Sequence, residues 1–326
     1  MSGVRGDSLA LYVKDMYKAE RETYQEVETG YDKIFKIKNG VKGAGDKITQ
    51  ILGAGALTRH TVEGQDIVYK SPIQGWEFLV KYHTYSDGIS LTKEAVEDTV
   101  KLGNLIKELA GTWGKQVRFA KEELAARIFN EGGNLLGDFV FNGTHVGNTA
   151  TYGDMLYDNK PLFNLTGNTR STKGGGTYYN SVAGLTLTPT NFETVYNLHT
   201  TTNNRDERDN IVRNPCDTLL CRPGADKFLA DRILGTQQMP GGQLNDKSPY
   251  YKLVTPIDWD YLEAAEAAFF IGKRQSEDFQ FHERQMPMIN FFKDNNNNGY
   301  KTSIDIRIGI LIKNWRTWSR GGGTSA

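Results

Sequence analysis

Chemistry in a chain needs reactive side chains at workable spacings, and here the candidates are few. His60, His83, His145, His199 and His282 are the only histidines, and none forms a His-x-x-x-His or His-Glu-x-x-His pair. Cys216 and Cys221 are the only cysteines. They lack the further ligands a zinc site requires, and on an extended strand their odd separation sends them to opposite faces, so they read as reduced core thiols. Gly111 to Lys115 superficially resembles a phosphate loop, but Leu109 stands where its first glycine should be, Gln116 stands where Ser or Thr should be, and the stretch lies inside a helical pattern. Asp294, Asn296, Asn298 and Gly299 fit the first, third, fifth and sixth places of a calcium loop, with Asp305 in the twelfth. Both flanks read as strands rather than helices, and Asn with Gly is what a hairpin turn wants, so a turn is preferred. No Gly-x-Ser-x-Gly elbow or dinucleotide fingerprint follows a strand. The expectation is no catalytic residue, no cofactor and no metal, and so no enzyme.

Charge is the remaining signal. Lysine plus arginine total 39, as do aspartate plus glutamate, so no net charge draws the chain onto nucleic acid or an anionic membrane. Locally, Lys301, Arg307, Lys313, Arg316 and Arg320 face one acid, Asp305, with Trp315 and Trp318 interleaved. A nucleic-acid groove would carry such a pattern, but a strand with a solvated face is favoured. With no signal-peptide core and no run of eighteen apolar residues, a soluble cytosolic protein is expected. The sequons at Asn142 and Asn164 then read as chance.

The elements that would position any site centre on Thr92 to Glu131. It reads as one helix of some forty residues, roughly 60 Å long. Leu102, Leu105, Ile106, Leu109, Trp113, Val117, Ala120, Leu124 and Ile128 make one apolar stripe, and the other sides are charged. Thr92 caps it, and Gly132 and Gly133 end it. Gly111 and Gly114 predict a bend or close packing. Upstream, residues 1–55 are polar, with a helix around Ser8 to Glu28. Ala56 to Ile89 reads as a long hairpin, with Asp66 to Lys70 opposite Trp76 to Tyr82, too thin to bury its own apolar face. Downstream, 138–190 is loop-rich. Thr190 and Glu193 have capping-box spacing for a helix to about Thr202. Asp217 to Cys221 is a strand feeding the helix Ala225 to Leu234, and Tyr251 to Ile257 is a further strand. Ala264 to Ile271 is helix or strand. Phe279 and Phe281 alternate with polar neighbours, and Ile304 to Ile312 are apolar at every second place around a turn at Asp294 to Gly299.

Taken in order, these stretches resemble the major capsid protein of a tailed double-stranded DNA phage. Val62 to Ile67 running into Ser90 to Glu94, with Asp98 beyond, resembles an extended loop entering a spine helix. Asn159 to Phe163 with the later glycine run, Asn214-Pro215 to Leu220, and Pro223 to Thr236 are similar to recurring middle elements, and the closing strand Asp305 to Trp315 fits too. The resemblance implies an α+β fold of the Hong Kong 97 type. Its parts would be an N-terminal arm (1–55), an extended β-hairpin loop (56–91), a spine helix with peripheral domain (92–140), a mainly axial domain (141–278), and closing strands with a flexible tail (279–326). It implies a structural subunit forming hexamers and pentamers of an icosahedral shell around double-stranded DNA held by non-specific contact. Portal protein, a separate scaffolding protein or protease, and a decoration protein would be partners, with no membrane. The place would be the virion capsid, assembled in the host cytoplasm. The arm is too short for a fused scaffolding region, so scaffolding would be separate or already removed. Lys70 and Lys81 lie on the hairpin, but no asparagine and acid partner is picked out, so crosslinking is not carried over. The alternatives are an encapsulin-like compartment and a β-rich binding or carbohydrate-active enzyme.

Overall fold

A computed structural model gives the structure for all residues except 1–2, 27, 44, 53–58, 60, 62, 65, 68, 70–72, 93–101, 134–155, 157, 159, 238–246, 264–267, 294–298 and 324–326. In chain order it has α1 (Gly3–Glu26), α2 (Tyr31–Ile34), β1 (Phe35–Asn39), β2 (Gly45–Leu52), β3 (Ile73–Lys81), β4 (His83–Leu91) and α3 (Leu102–Asn130). Then come β5 (Arg170–Ser171), β6 (Thr177–Tyr178), β7 (Ser181–Val182), α4 (Pro189–Asn197), β8 (Thr218–Cys221), α5 (Ala225–Gly235), β9 (Thr255–Asp258), β10 (Phe269–Gly272), β11 (Ser276–Lys293), β12 (Tyr300–Ile312) and β13 (Trp318–Gly321). The chain divides into two compact units, the first made of Met1–Ala44, Lys81–Ala126 and Gln280–Ile310, the second of Gly45–Val80, Arg127–Phe279 and Leu311–Ala326.

In the first unit, strands lie in the order β1-β11-β12-β4. β12 runs antiparallel to β4 from Tyr300 opposite Leu91 to Ile308 opposite His83. Ile304, Ile306 and Ile308 are buried while Ser303, Asp305 and Arg307 are only partly so, which is the period of two expected of a strand with one core face. α1 then packs on α3 at two glycines. A β-carbon on Gly111 would stand 3.3 Å from the Thr23 methyl, and one on Gly114 would stand 2.6 Å from the Glu20 carbonyl oxygen. Close packing, of the two outcomes anticipated at these glycines, is therefore seen, and it explains why glycine's cost to the helix is tolerated.

The single apolar stripe read for α3 is a simplification. Lys121 and Glu122, on its charged sides, are 1% exposed, and Ala125, Ala126 and Phe129 are buried with Leu124 and Ile128. The start of the long helix, 93–101, lies outside the described residues. After Asn130 the chain turns at Gly132, where any side chain would strike the Phe163 ring.

In the second unit, strands lie in the order β7-β13-β10-β8-β9, β10 being antiparallel to both neighbours and β8 parallel to β9. The connection β8-α5-β9 is a crossover between parallel strands, which requires the intervening helix. β8 and β10 are buried throughout. One face carries Leu219, Cys221, Phe269 and Ile271 against Phe192 and Val195 of α4 and Ala230, Ile233 and Leu234 of α5. On the other, Phe270 meets Phe129, whose ring also lies within 5–7 Å of Phe163, Trp259, Phe279 and Trp318.

Three local readings change. β3 pairs with β2, not with 66–70, because Asp66, Ile67 and Tyr69 form no strand and Tyr82 ends β3 before β4 joins another sheet. The cap of α4 is Thr188, which accepts from Asn191 N at 3.2 Å, rather than Thr190. Pro189 suits the first helical position, so the helix starts there, and Glu193 instead accepts from the Tyr250 hydroxyl. The expected strand at 251–257 is confined to Thr255–Asp258. The ambiguous 264–271 segment resolves to strand in its described part, Phe269–Gly272.

Replacing an exposed helical glycine by alanine ordinarily gains about 1 kcal/mol. At Gly114 the added carbon meets backbone, so Gly114→Ala should instead lose about 1–3 kcal/mol in chemical denaturation, and a gain would remove the close α1–α3 contact.

Candidate functional site

The polar residues with the most constrained geometry in the first unit converge on Lys121 and Glu283. Their ion pair is 2.8 Å long, with side chains 2% and 5% exposed. α3 presents Arg118 and, about one turn on, Lys121 and Glu122, and each engages the N-terminal segment. Arg118 donates to the Tyr24 carbonyl at 2.7 Å and lies over the Tyr24 ring at 3.9 Å. Lys121 also donates to the Tyr24 hydroxyl at 2.7 Å. Glu122 accepts from the backbone N–H groups of Gly30 and Tyr31, capping α2. Glu283 of β11 accepts from the Tyr31 hydroxyl at 3.0 Å. Burial and the Glu283 carboxylate push the Tyr31 hydroxyl well up, so it stays a neutral donor. Burial likewise raises the Glu20 carboxyl, against the pull of Arg21 and Lys121. Tyr17 of α1 both donates to the Ile289 carbonyl and accepts from the Ile289 N–H, standing in for a neighbouring strand. This arrangement fastens the N-terminal segment to a helix and a sheet.

In the second unit Arg316 pairs with Glu207 at 2.7 Å, and Glu207 also accepts from the Trp76 indole at 3.0 Å. Lys173 donates to the Gln74 carbonyl and sits 4.8 Å from the Trp76 ring centre. Asn180 is a hub, its amide nitrogen reaching the carbonyls of Leu162, Trp315 and Trp318 and its oxygen accepting from Asn164 N.

The sequence candidates fare differently. The basic run does not present one solvated face. Arg316 and Arg320 are 5% and 1% exposed, Trp315 and Trp318 are buried, and Arg320 donates to Ser181. Lys301, Arg307 and Lys313 are half-buried. The alternation fails because β12 and the turn after it become buried on both faces from Gly309 onward. Gly111 to Lys115 lies in α3 as a packing surface. The first five places of the calcium pattern lie outside the described residues, while Asp305 accepts from Asn290 at 2.8 Å. Among the described residues no group of His, Cys, Asp and Glu could hold a metal, and no helix is long and apolar enough to cross a membrane. Cys216 precedes β8, so both cysteines touch one core rather than opposite faces. Burial pushes both thiols up to about 12. His60 and His145 lie outside the described residues, His83 is on β4, and His282 is buried between Tyr82 and Gln280.

His199 is buried in the turn after α4. Its Nε2 faces the Pro215 carbonyl, which can only accept, so Nε2 carries the proton and Nδ1 accepts from Ser319. Sequence reasoning missed Glu283, Glu207 and Asn180. Their signal is faint, a charged or amide residue within otherwise apolar or strand-forming runs.

No family model matches the chain, and no curated protein matches it in sequence. Solved structures do. The asymmetric unit of the bacteriophage PhiM1 mature capsid is similar over 90% of this chain and 87% of that chain, with 8% identity and a TM-score of 0.52. A structure of Mycobacterium phage Bobi is similar over 93% and 91%, with 11% identity and a TM-score of 0.49. The holo-SrpI encapsulin complex from Synechococcus elongatus PCC 7942 is similar over 88% and 84%, with 9% identity and a TM-score of 0.43. The PhiM1 likeness decides the fold class. The chain is a mixed α+β protein with the fold of a phage capsid protein.

Two measurements probe these clusters. Glu283→Ala leaves Lys121 charged and buried, so it should cost about 3–5 kcal/mol, and the double variant Lys121→Met with Glu283→Gln should cost less than the sum of its single changes. An additive cycle would remove the coupling. Burial holds His199 at about 4 against an ordinary 6.5. A depressed histidine stabilises above its unfolded pKa, so up to about 3 kcal/mol should be lost as pH falls from 6.5 to 4. His199→Gln should flatten that window of the stability–pH curve; an unchanged slope would mean His199 is not the titrating group.

Proposed function

We propose that this chain is the major capsid subunit of a tailed double-stranded DNA phage, of the Hong Kong 97 type. The carrying observation is the fold shared with the PhiM1 capsid subunit over nine-tenths of the chain. In this reading 1–55 is the arm, 56–91 the extended loop, 92–140 the spine helix and peripheral domain, 141–278 the mainly axial domain, and 279–326 the closing strands and tail. Copies form hexamers and pentamers of an icosahedral shell in the virion, assembled in the host cytoplasm. The role is structural, and no residue is assigned to catalysis.

The surface chemistry supports it. Ile67 and Tyr69, within the extended loop, are 62% and 89% exposed, and Phe228 on α5 is 71% exposed. Met286, Met288 and Phe292 stand exposed at even-numbered places of β11, on one face of the strand. Covering such side chains with a neighbouring copy gains roughly 25 cal/mol per Å² of apolar surface. Many modest contacts then sum around a closed shell. Zero net charge suits a wall that encloses DNA without the strong phosphate binding a basic face would give. Portal protein, separate scaffolding or protease, and a decoration protein are the partners this reading requires.

Electron microscopy of the expressed full chain should show uniform hollow particles, and small globules alone would overturn the reading. Ile67→Ser with Tyr69→Ala should reduce particle yield while leaving subunit stability within about 0.5 kcal/mol. Normal yield would exclude these residues from the contacts.

A further inference from the structure

The second unit contains a cavity of about 150 Å³, far above the ~15 Å³ one water needs. Arg205, Arg213, Lys313 and Arg316 line it against Asp206 and Glu207, so its lining is net cationic. Much of that charge is already engaged. Glu207 takes one nitrogen of Arg316 and the Trp76 indole, and Arg205 donates to the Asp209 carbonyl. Asp206 accepts from the backbone of Arg208 and Asn210. Lys313 feels the half-buried Asp278 carboxyl. The exposed Arg213 stands at the rim.

What distinguishes the cavity is its buried polar lining. Arg316 Nε, Trp315 Nε1 and Asn203 Oδ1 have no hydrogen-bond partner, although their side chains are 5%, 1% and 1% exposed. Buried polar groups are almost always satisfied, so three orphans among the residues lining one cavity mark it as a place for an occupant. Two are donors beside net positive charge, which selects an anion with acceptor oxygens. The third is an acceptor. The Asn203 nitrogen donates to the Tyr179 carbonyl, which leaves the oxygen as the open end. An anion that also carries a proton would satisfy all three.

We propose that this cavity binds hydrogen phosphate. Its oxygens accept from Arg316 Nε and Trp315 Nε1, its hydroxyl donates to Asn203 Oδ1, and Arg213 and Lys313 supply charge at the mouth. Sulfate at neutral pH and a nucleic-acid phosphodiester have no hydroxyl to give, so the same donors hold them less well. The site does not depend on the shell assignment, because it rests on residues of a single unit.

Titration calorimetry of the full chain at neutral pH with inorganic phosphate should show one saturable site per chain. Sulfate should bind at least about tenfold more weakly, since one buried hydrogen bond to a charged group is lost. A short DNA duplex with 5′-hydroxyl ends should not compete. Arg213→Ala with Lys313→Ala, both off the fully buried core, should weaken phosphate binding at least about tenfold, and Asn203→Ala should make phosphate and sulfate bind alike. Should Asn203→Ala fail to fold, the sulfate comparison and the rim variant still decide. No saturable heat, equal binding of sulfate and phosphate by the native chain, or affinity unchanged in the rim variant would each overturn the proposal.

Discussion

A charge removed from water must find an opposite charge and fill its remaining hydrogen-bonding positions, or the fold does not form. This chain answers that constraint with an ion pair in each of its units. Lys121 and Glu283 satisfy it where α1, α2, α3 and β11 converge, with Tyr24 and Tyr31 completing the set. Arg316 pairs with Glu207 in the second unit, with the Trp76 indole as a further donor to that carboxylate, and Arg316 Nε is the position left open at the cavity. A buried pair adds little net stability compared with a well-packed apolar pair, but it tolerates few alternatives in geometry. Its value here is placement: Tyr24, Gly30 and Tyr31 of the N-terminal segment are set by donors and acceptors on α3, since among the described side chains of α1 the buried apolar one is Met16.

Glycine is the complementary device. Where ion pairs fix position, Gly111 and Gly114 fix distance, allowing the α1 backbone to approach α3 to a separation no side chain permits. Gly309 against the Tyr82 ring does the same beneath a sheet, and Gly272 and Gly321 against Trp318 and Phe269 do so in the second unit. These are contacts of backbone with aromatic faces, and they explain why strand propensity is overridden at those places.

Such arrangements bear on how much the sequence discloses. Periodicity reveals β12 and most of α3, because each buries one face and leaves the matching spacing in the residue order, and Pro223, Gly224 and Gly235 mark the ends of α5. The order of these segments carried the fold class. Periodicity failed where burial is two-sided: Lys121, Glu122, Arg316 and Arg320 are charged residues at positions a solvated face would occupy, and only the convergence of distant segments makes them interior. Pairings between distant segments were equally hidden. Nothing in Glu283 marks it as the partner of Lys121, 162 positions away, and nothing in Ile73 to Lys81 chooses β2 over 66–70. The cap of α4 was legible but misassigned by two residues, because Pro189 outweighs the Thr190–Glu193 spacing.

The same burial changes what the basic carboxy-terminal run can do. Five cations with two tryptophans could have formed a nucleic-acid groove, yet the deepest of them are held inside, Arg316 by Glu207 and Arg320 by Ser181. A cation so held is unavailable for counterion release at a DNA surface, the process that supplies most non-specific affinity. Together with a net charge of zero, this leaves apolar side chains such as Tyr69, Phe228 and Met286 as the conspicuous unsatisfied surface groups among the described residues. Contacts made by such groups are short-ranged and insensitive to salt. Such a surface offers a neighbour shape and apolar cover, while the most deeply buried charges hold the chain's own segments in register.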